Sequence, residues 1–77
     1  MKKIIGKKEY DTEKAAILQR FRYGYWGDPA GYEELLYETE DGLYFVHVRG
    51  GEDSPYPQED IQRIAKNKLK EWLSERQ

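Results

Sequence analysis

Glu34-Leu35-Leu36-Tyr37-Glu38-Thr39 and Leu43-Tyr44-Phe45-Val46-His47-Val48-Arg49 are two β-prone runs separated by Glu40-Asp41-Gly42, and this stretch decides the fold. Gly42 supplies the positive φ that a tight turn needs, so the runs fold back on each other as an antiparallel hairpin. In the second run Tyr44, Val46 and Val48 point one way and Leu43, Phe45 and His47 the other. Neither side is uniformly polar, which predicts a central strand covered on both faces.

Toward the N-terminus, Phe21, Tyr23 and Tyr25 alternate with Arg20, Arg22 and Gly24, the period of a half-buried strand, and a strand is predicted over 17–25. Three glycines and a proline in residues 24–31 end it, and a loop follows over 26–31. Asp11-Thr12-Glu13 reads as a turn or a helix N-cap. Residues 2–10 alternate weakly around Gly6 and predict a short edge strand. Toward the C-terminus, Gly50-Gly51 and Ser54-Pro55-Tyr56-Pro57 form an irregular linker, because proline blocks ladder bonding and helix continuation alike. Beyond it Ile61, Ile64, Ala65, Leu69, Trp72 and Leu73 recur at spacings of three and four. That stripe predicts an amphipathic helix over about 58–74, with Glu59 and Asp60 at the positive end of its dipole. The fold class expected is α+β: a three- to four-stranded antiparallel β-meander packed by one C-terminal amphipathic helix.

The 77 residues support one core and one domain, since a chain of this length buries only roughly 60–65% of its unfolded surface. Hydrophobic residues make up 38% and charged residues 36% of the chain, but 14% are aromatic, so the core is expected to be built from rings. With no cysteine, neither a disulfide framework nor a thiolate metal site is available, and the cytoplasm is the expected compartment. Only Ile4 and Ile5 precede Lys7 and Lys8, too little for a signal-peptide apolar region, and no apolar run is long enough to cross a membrane.

The parts of the common catalytic machineries are missing. There is no Gly-x-Ser-x-Gly, no phosphate-binding Gly-rich loop with Lys-Ser/Thr and no Cys–His pair, and His47 stands alone without a metal-ligand partner. Glu33 and Glu34 could do acid–base work only in a desolvated cleft, for which so thin a domain has little room. A non-enzymatic protein without cofactor or metal is therefore expected. Residues 41–48 match the RNA-recognition RNP1 pattern only partly, lacking its leading basic residue.

Charge is segregated. Residues 28–41 hold Asp28, Glu33, Glu34, Glu38, Glu40 and Asp41 and no cation, while residues 62–70 hold Arg63, Lys66, Lys68 and Lys70 and no acid. The two segments either neutralise each other or solvate the surface, or the first is a functional acidic face. In Arg20-Phe21-Arg22-Tyr23-Gly24-Tyr25-Trp26, cations interleave with rings, a combination suited to a protein hot spot or to phosphates with stacked bases. The plainer alternative makes Phe21, Tyr23 and Tyr25 the core face of a strand. Arg20, Arg22, Tyr25, Trp26, Glu33, Glu34 and Arg49 are the candidate partner-binding residues.

The order Gly6-Lys7-x-x-Tyr10-Asp11-Thr12-Glu13-x-Ala15, Glu34-x-Leu36-Tyr37-x-Thr39, Gly42-x-Tyr44-Phe45, Gly50-Gly51, Tyr56 and Trp72-Leu73 resembles a set of small bacterial and phage proteins, many carried on mobile elements. The resemblance spans nearly the whole chain and implies no enzymatic activity and no assigned site. The chain departs from the pattern at Val48-Arg49, where an acidic residue is common, and in the shortened loop over 52–57. The expectation is a small protein-binding module, a mobile-element or phage accessory inhibiting a host defence complex in the manner of an anti-CRISPR protein. The alternative is a single-stranded nucleic-acid-binding domain. A larger protein partner is expected, with the chain a monomer or a homodimer through a free strand edge.

Overall fold

The structure, a computed structural model, describes residues 1–25 and 27–76. Its order is β1 (Lys2–Ile5), β2 (Lys8–Asp11), β3 (Ala16–Tyr23), β4 (Tyr32–Glu38), β5 (Tyr44–Gly50), β6 (Asp60–Ile64) and α1 (Lys66–Ser74). β3-β4-β5-β6 form a four-stranded antiparallel meander, and β1-β2 form a separate hairpin. The fold is α+β.

The hairpin forms, with Tyr37 opposite Phe45 and Glu33 opposite Arg49. Its loop closes as the Thr39 N–H donates to the Leu43 carbonyl at 2.8 Å and the Gly42 N–H to the Thr39 carbonyl at 3.0 Å. Gly42 has φ 82°, a conformation open to glycine at no steric cost. Both faces of β5 are covered, as its pattern required. On one face Phe45 packs with Tyr10 and Ile61 beneath the β1-β2 hairpin. On the other, Val46 and Val48 join Leu36 under Leu69, Trp72 and Leu73 of α1.

Two expectations need correction. The predicted helix over 58–74 is a strand, β6, followed by the shorter α1. Ile61 pairs with His47 and Ile64 with Tyr44, so their spacing of three puts them on opposite faces of a strand rather than on one side of a helix. Each is apolar because both faces have a core to meet, and β-branched residues suit the open edge of β5. Ala65 keeps extended angles and the first helical turn carries no acid. Glu59 and Asp60 thus do not serve a helix dipole: Asp60 accepts from Lys3 at 2.8 Å, and Glu59 lies 3.0 Å from His47 Nε2.

The second correction concerns residues 2–10, which make two strands rather than one. Gly6, at φ 65°, opens the turn between Ile5 and Lys8, the place where a two-residue II′ turn requires glycine. β3 begins and ends earlier than predicted, with an irregularity between Ile17 and Gln19. Among the described residues no helix is long and apolar enough to cross a membrane.

Candidate functional site

Alternation along β4 sends Glu33, Leu35 and Tyr37 to the face that bears Arg49, His47 and Phe45 on β5. β3 adds Arg22 opposite Glu33 and Arg20 opposite Leu35. The β1-β2 hairpin covers only the Phe45 end of this face. At the other end Glu33, 6% exposed, is surrounded by three arginines. Arg49 donates from Nε at 2.9 Å and from Nη2 at 2.7 Å to Oε1, and Arg22 donates from Nη2 at 3.0 Å to Oε2. The Nε of Arg20 stands at 3.9 Å, within ion-pair reach but too far for a hydrogen bond. All three arginines remain more than half exposed.

Burial alone pushes the Glu33 carboxyl up, but hydrogen bonds from Arg49 and Arg22 and the neighbouring positive charge outweigh it, and the group is held below the ordinary glutamate range. The patch therefore carries three cations over one fixed anion. A guanidinium has five N–H donors, so each half-exposed arginine has donors that its contacts with Glu33 do not use.

Around the end of the sheet an open groove of about 710 Å³ runs between residues 27–31 and the turn over 50–52, lined by Arg22, Arg49, Tyr23, Tyr32 and Tyr25. Its two walls are stitched together by the Gly51 N–H donating to the Gly31 carbonyl at 3.0 Å and the Asp53 N–H to the Pro29 carbonyl at 2.9 Å. Gly51 is required here because a Cβ would collide with the Pro29 backbone. Tyr25 is 75% exposed at the groove. Trp26, the ring expected at a surface site, lies outside the described residues.

Glu34 does not join this patch. It points to the helix face, 2% exposed, and accepts from Arg76 Nε at 2.8 Å, Arg76 Nη2 at 3.0 Å and the Tyr56 hydroxyl at 3.0 Å. Arg76 also stacks over the Trp72 ring at 4.0 Å. Burial raises the Glu34 carboxyl, yet the Arg76 and Tyr56 hydrogen bonds win and hold it below its ordinary value. Burial and the Glu34 charge push the Tyr23 and Tyr56 hydroxyls up. The arrangement is a clasp that fixes the helix to the sheet, so Glu34 has no surface to offer a partner.

The acidic segment is thus divided. Glu33 and Glu34 are neutralised by Arg20, Arg22, Arg49 and Arg76, none of which lies in the basic segment over 62–70. Asp28 is spent on its own loop, accepting from the Ala30 N–H at 3.0 Å. His47 is buried, and its Nε2 is 3.0 Å from Glu59 without hydrogen-bond alignment. Among the described residues no cluster of three or more His, Asp or Glu side chains converges as a metal site. Of the seven candidates, the structure brings Arg20, Arg22, Glu33 and Arg49 together, with Tyr25 beside them. Sequence reasoning missed Arg76, which no local pattern links to residue 34, and the ring ladder of Tyr23, Tyr32 and Tyr56 at centroid distances of 4.4 and 5.4 Å. Comparison with protein-family models, with curated proteins and with solved structures gave no match.

Proposed function

We propose that the chain is a non-catalytic binding module that grips an acidic surface of a larger protein with Arg20, Arg22 and Arg49. The observation that carries this reading is the buried Glu33 carboxylate holding half-exposed guanidinium groups in place. Arginines fixed in this way lose less rotamer freedom on binding, and the planar fork suits bidentate capture of a carboxylate. Arginine and tyrosine dominate protein hot spots, and Tyr25 stands ready at the rim. The formal charge of −2 opposes indiscriminate coating of polyanions and favours a localised contact. Internal neutralisation of Glu33 and Glu34 removes the support for a functional acidic face at these two residues. The mobile-element resemblance supports a host defence complex as the partner, and the lack of cysteine supports a cytoplasmic setting.

Affinity capture from a bacterial lysate, with wild type and R20A/R22A/R49A as parallel baits, tests the reading. A protein retained by wild type and absent from the variant is expected; identical captures would refute it. Single-stranded nucleic-acid binding is the second reading, favoured by the exposure of Tyr25 next to two arginines. Its signature is affinity for a labelled oligonucleotide that falls steeply with salt, because each neutralised phosphate releases counterions.

A further inference from the structure

We propose that the partner contributes an extended acidic segment that adds as a fifth strand to the free edge of β3; this rests on the protein-binding reading above. The meander has two edges, β3 and β6. β6 is covered at its start, where Lys3 of β1 donates to Asp60 at 2.8 Å and to the Ile61 carbonyl at 3.3 Å. Among the described residues nothing is paired beyond β3, and its residues 16–20 are exposed in succession. Such an edge presents unpaired N–H and C=O groups, a template for another strand.

Natural edges are blunted by proline, by charged side chains and lysine above all, or by bulges; the charges of β3 are Arg20 and Arg22, which repel a cationic strand but attract an acidic one. β3 contains neither proline nor lysine, and its irregularity is confined to Ile17/Gln19. From Gln19 to Tyr23 the ladder to β4 is regular, leaving five residues fit to pair on their other side.

The side chains define what the added strand must carry. Arg20 and Arg22 stand two apart on one face, so a strand laid beside them reads them with residues i and i+2. Carboxylates at those positions meet guanidinium groups whose remaining donors are free, and the residue between faces Phe21, which packs on Trp72 at 5.5 Å. An acid–apolar–acid segment fits both faces. Ile17 and Leu18, 48% and 44% exposed, extend the apolar landing. A second copy of this chain fits worse, since antiparallel self-pairing centred on Phe21 sets each Arg20 directly against the other copy's Arg22, a like-charge opposition that destabilises sheets.

The test is fluorescence anisotropy of a labelled eight-residue peptide alternating Glu with Val. Its comparators are the same peptide N-methylated at alternate residues in either phase, and the R20E/R22E protein with its fold checked by circular dichroism. Binding to wild type is expected, at least tenfold weaker for one N-methylated phase and for R20E/R22E, with slowed amide exchange over 19–23. Equal binding of all three peptides, still lost in R20E/R22E, overturns strand addition while leaving the arginine reading intact. Failure of every peptide overturns it too, and if a labelled oligonucleotide then binds in an arginine-dependent way, the protein-binding reading falls with it. A concentration-dependent dimer protecting the same amides without peptide would overturn it by naming the second copy as occupant.

Discussion

Glu33 and Glu34 are consecutive on β4, yet one carboxylate lies beneath Arg22 and Arg49 and the other is clasped by Arg76 on the opposite face of the sheet. The pleat alone separates them, since neighbouring strand residues point to opposite sides. It divides the acidic segment into two jobs. Glu33 orders a cationic surface, and Glu34 closes the core.

Arg76→Ala is expected to leave the Glu34 charge buried without its partner, at a cost of about 3–5 kcal/mol. Against a total of about 4–12 kcal/mol for a chain of this length, that brings the domain close to unfolding. Urea denaturation measures it. R76A/E34Q should lose less than R76A alone, because the stranded charge is gone; equal losses would show that Arg76 acts through its packing on Trp72.

Acid sensitivity follows from the same pair of residues. Both carboxyls have folded values below the ordinary one of about 4.3. Their stabilisation is therefore complete above that value and is lost as pH falls through the depressed folded values. Unfolding free energy should decline through this acid window in wild type. E33Q/E34Q should start lower at neutral pH and show a flatter profile, and a profile identical in shape to wild type would contradict the assignment.

Tyr10→Ala removes the ring that holds the N-terminal hairpin on Phe45, whose centroid is 5.7 Å away. A loss of about 3–5 kcal/mol is typical for deleting a buried ring. Amide exchange should accelerate most over residues 2–11, with β4 and β5 the slowest to follow. Uniform acceleration across the chain would mean that hairpin and meander unfold as one unit.

Gly51→Ala and Gly42→Ala should fail for different reasons. At Gly42 nothing obstructs a Cβ but φ is 82°, whereas at Gly51 the obstacle is the Pro29 backbone. Gly42→Ala should cost about 1–2 kcal/mol, the penalty of a Cβ in the left-handed region. Gly51→Ala should cost about 1–3 kcal/mol through overpacking and should shift resonances on both walls of the groove, which Gly42→Ala leaves in place.

Gly42 and the two runs beside it made the central hairpin legible, whereas the pairing of Glu33 with Arg49 needed the register that the closed loop imposes. Arg22 and Arg20 could not be placed as firmly. Their register on β4 depends on the loop over 24–31 and on the irregularity between Ile17 and Gln19, neither of which has a local periodic signal. Ile61 and Ile64 misled for a related reason: a strand buried on both faces and one turn of an amphipathic helix share that spacing, and only the tertiary partner distinguishes them. Arg76 meets Glu34 across 42 positions, a distance over which sequence pattern carries no information.

On the binding proposal, Arg20, Arg22 and Arg49 face a partner while Arg76 is committed to the fold. The decisive experiment titrates isotopically labelled protein with a glutamate-rich peptide and follows the arginine Nε–Hε resonances. Saturable shifts at Arg20, Arg22 and Arg49 with Arg76 unmoved are predicted. Equal movement of all four, or movement confined to α1, would contradict it.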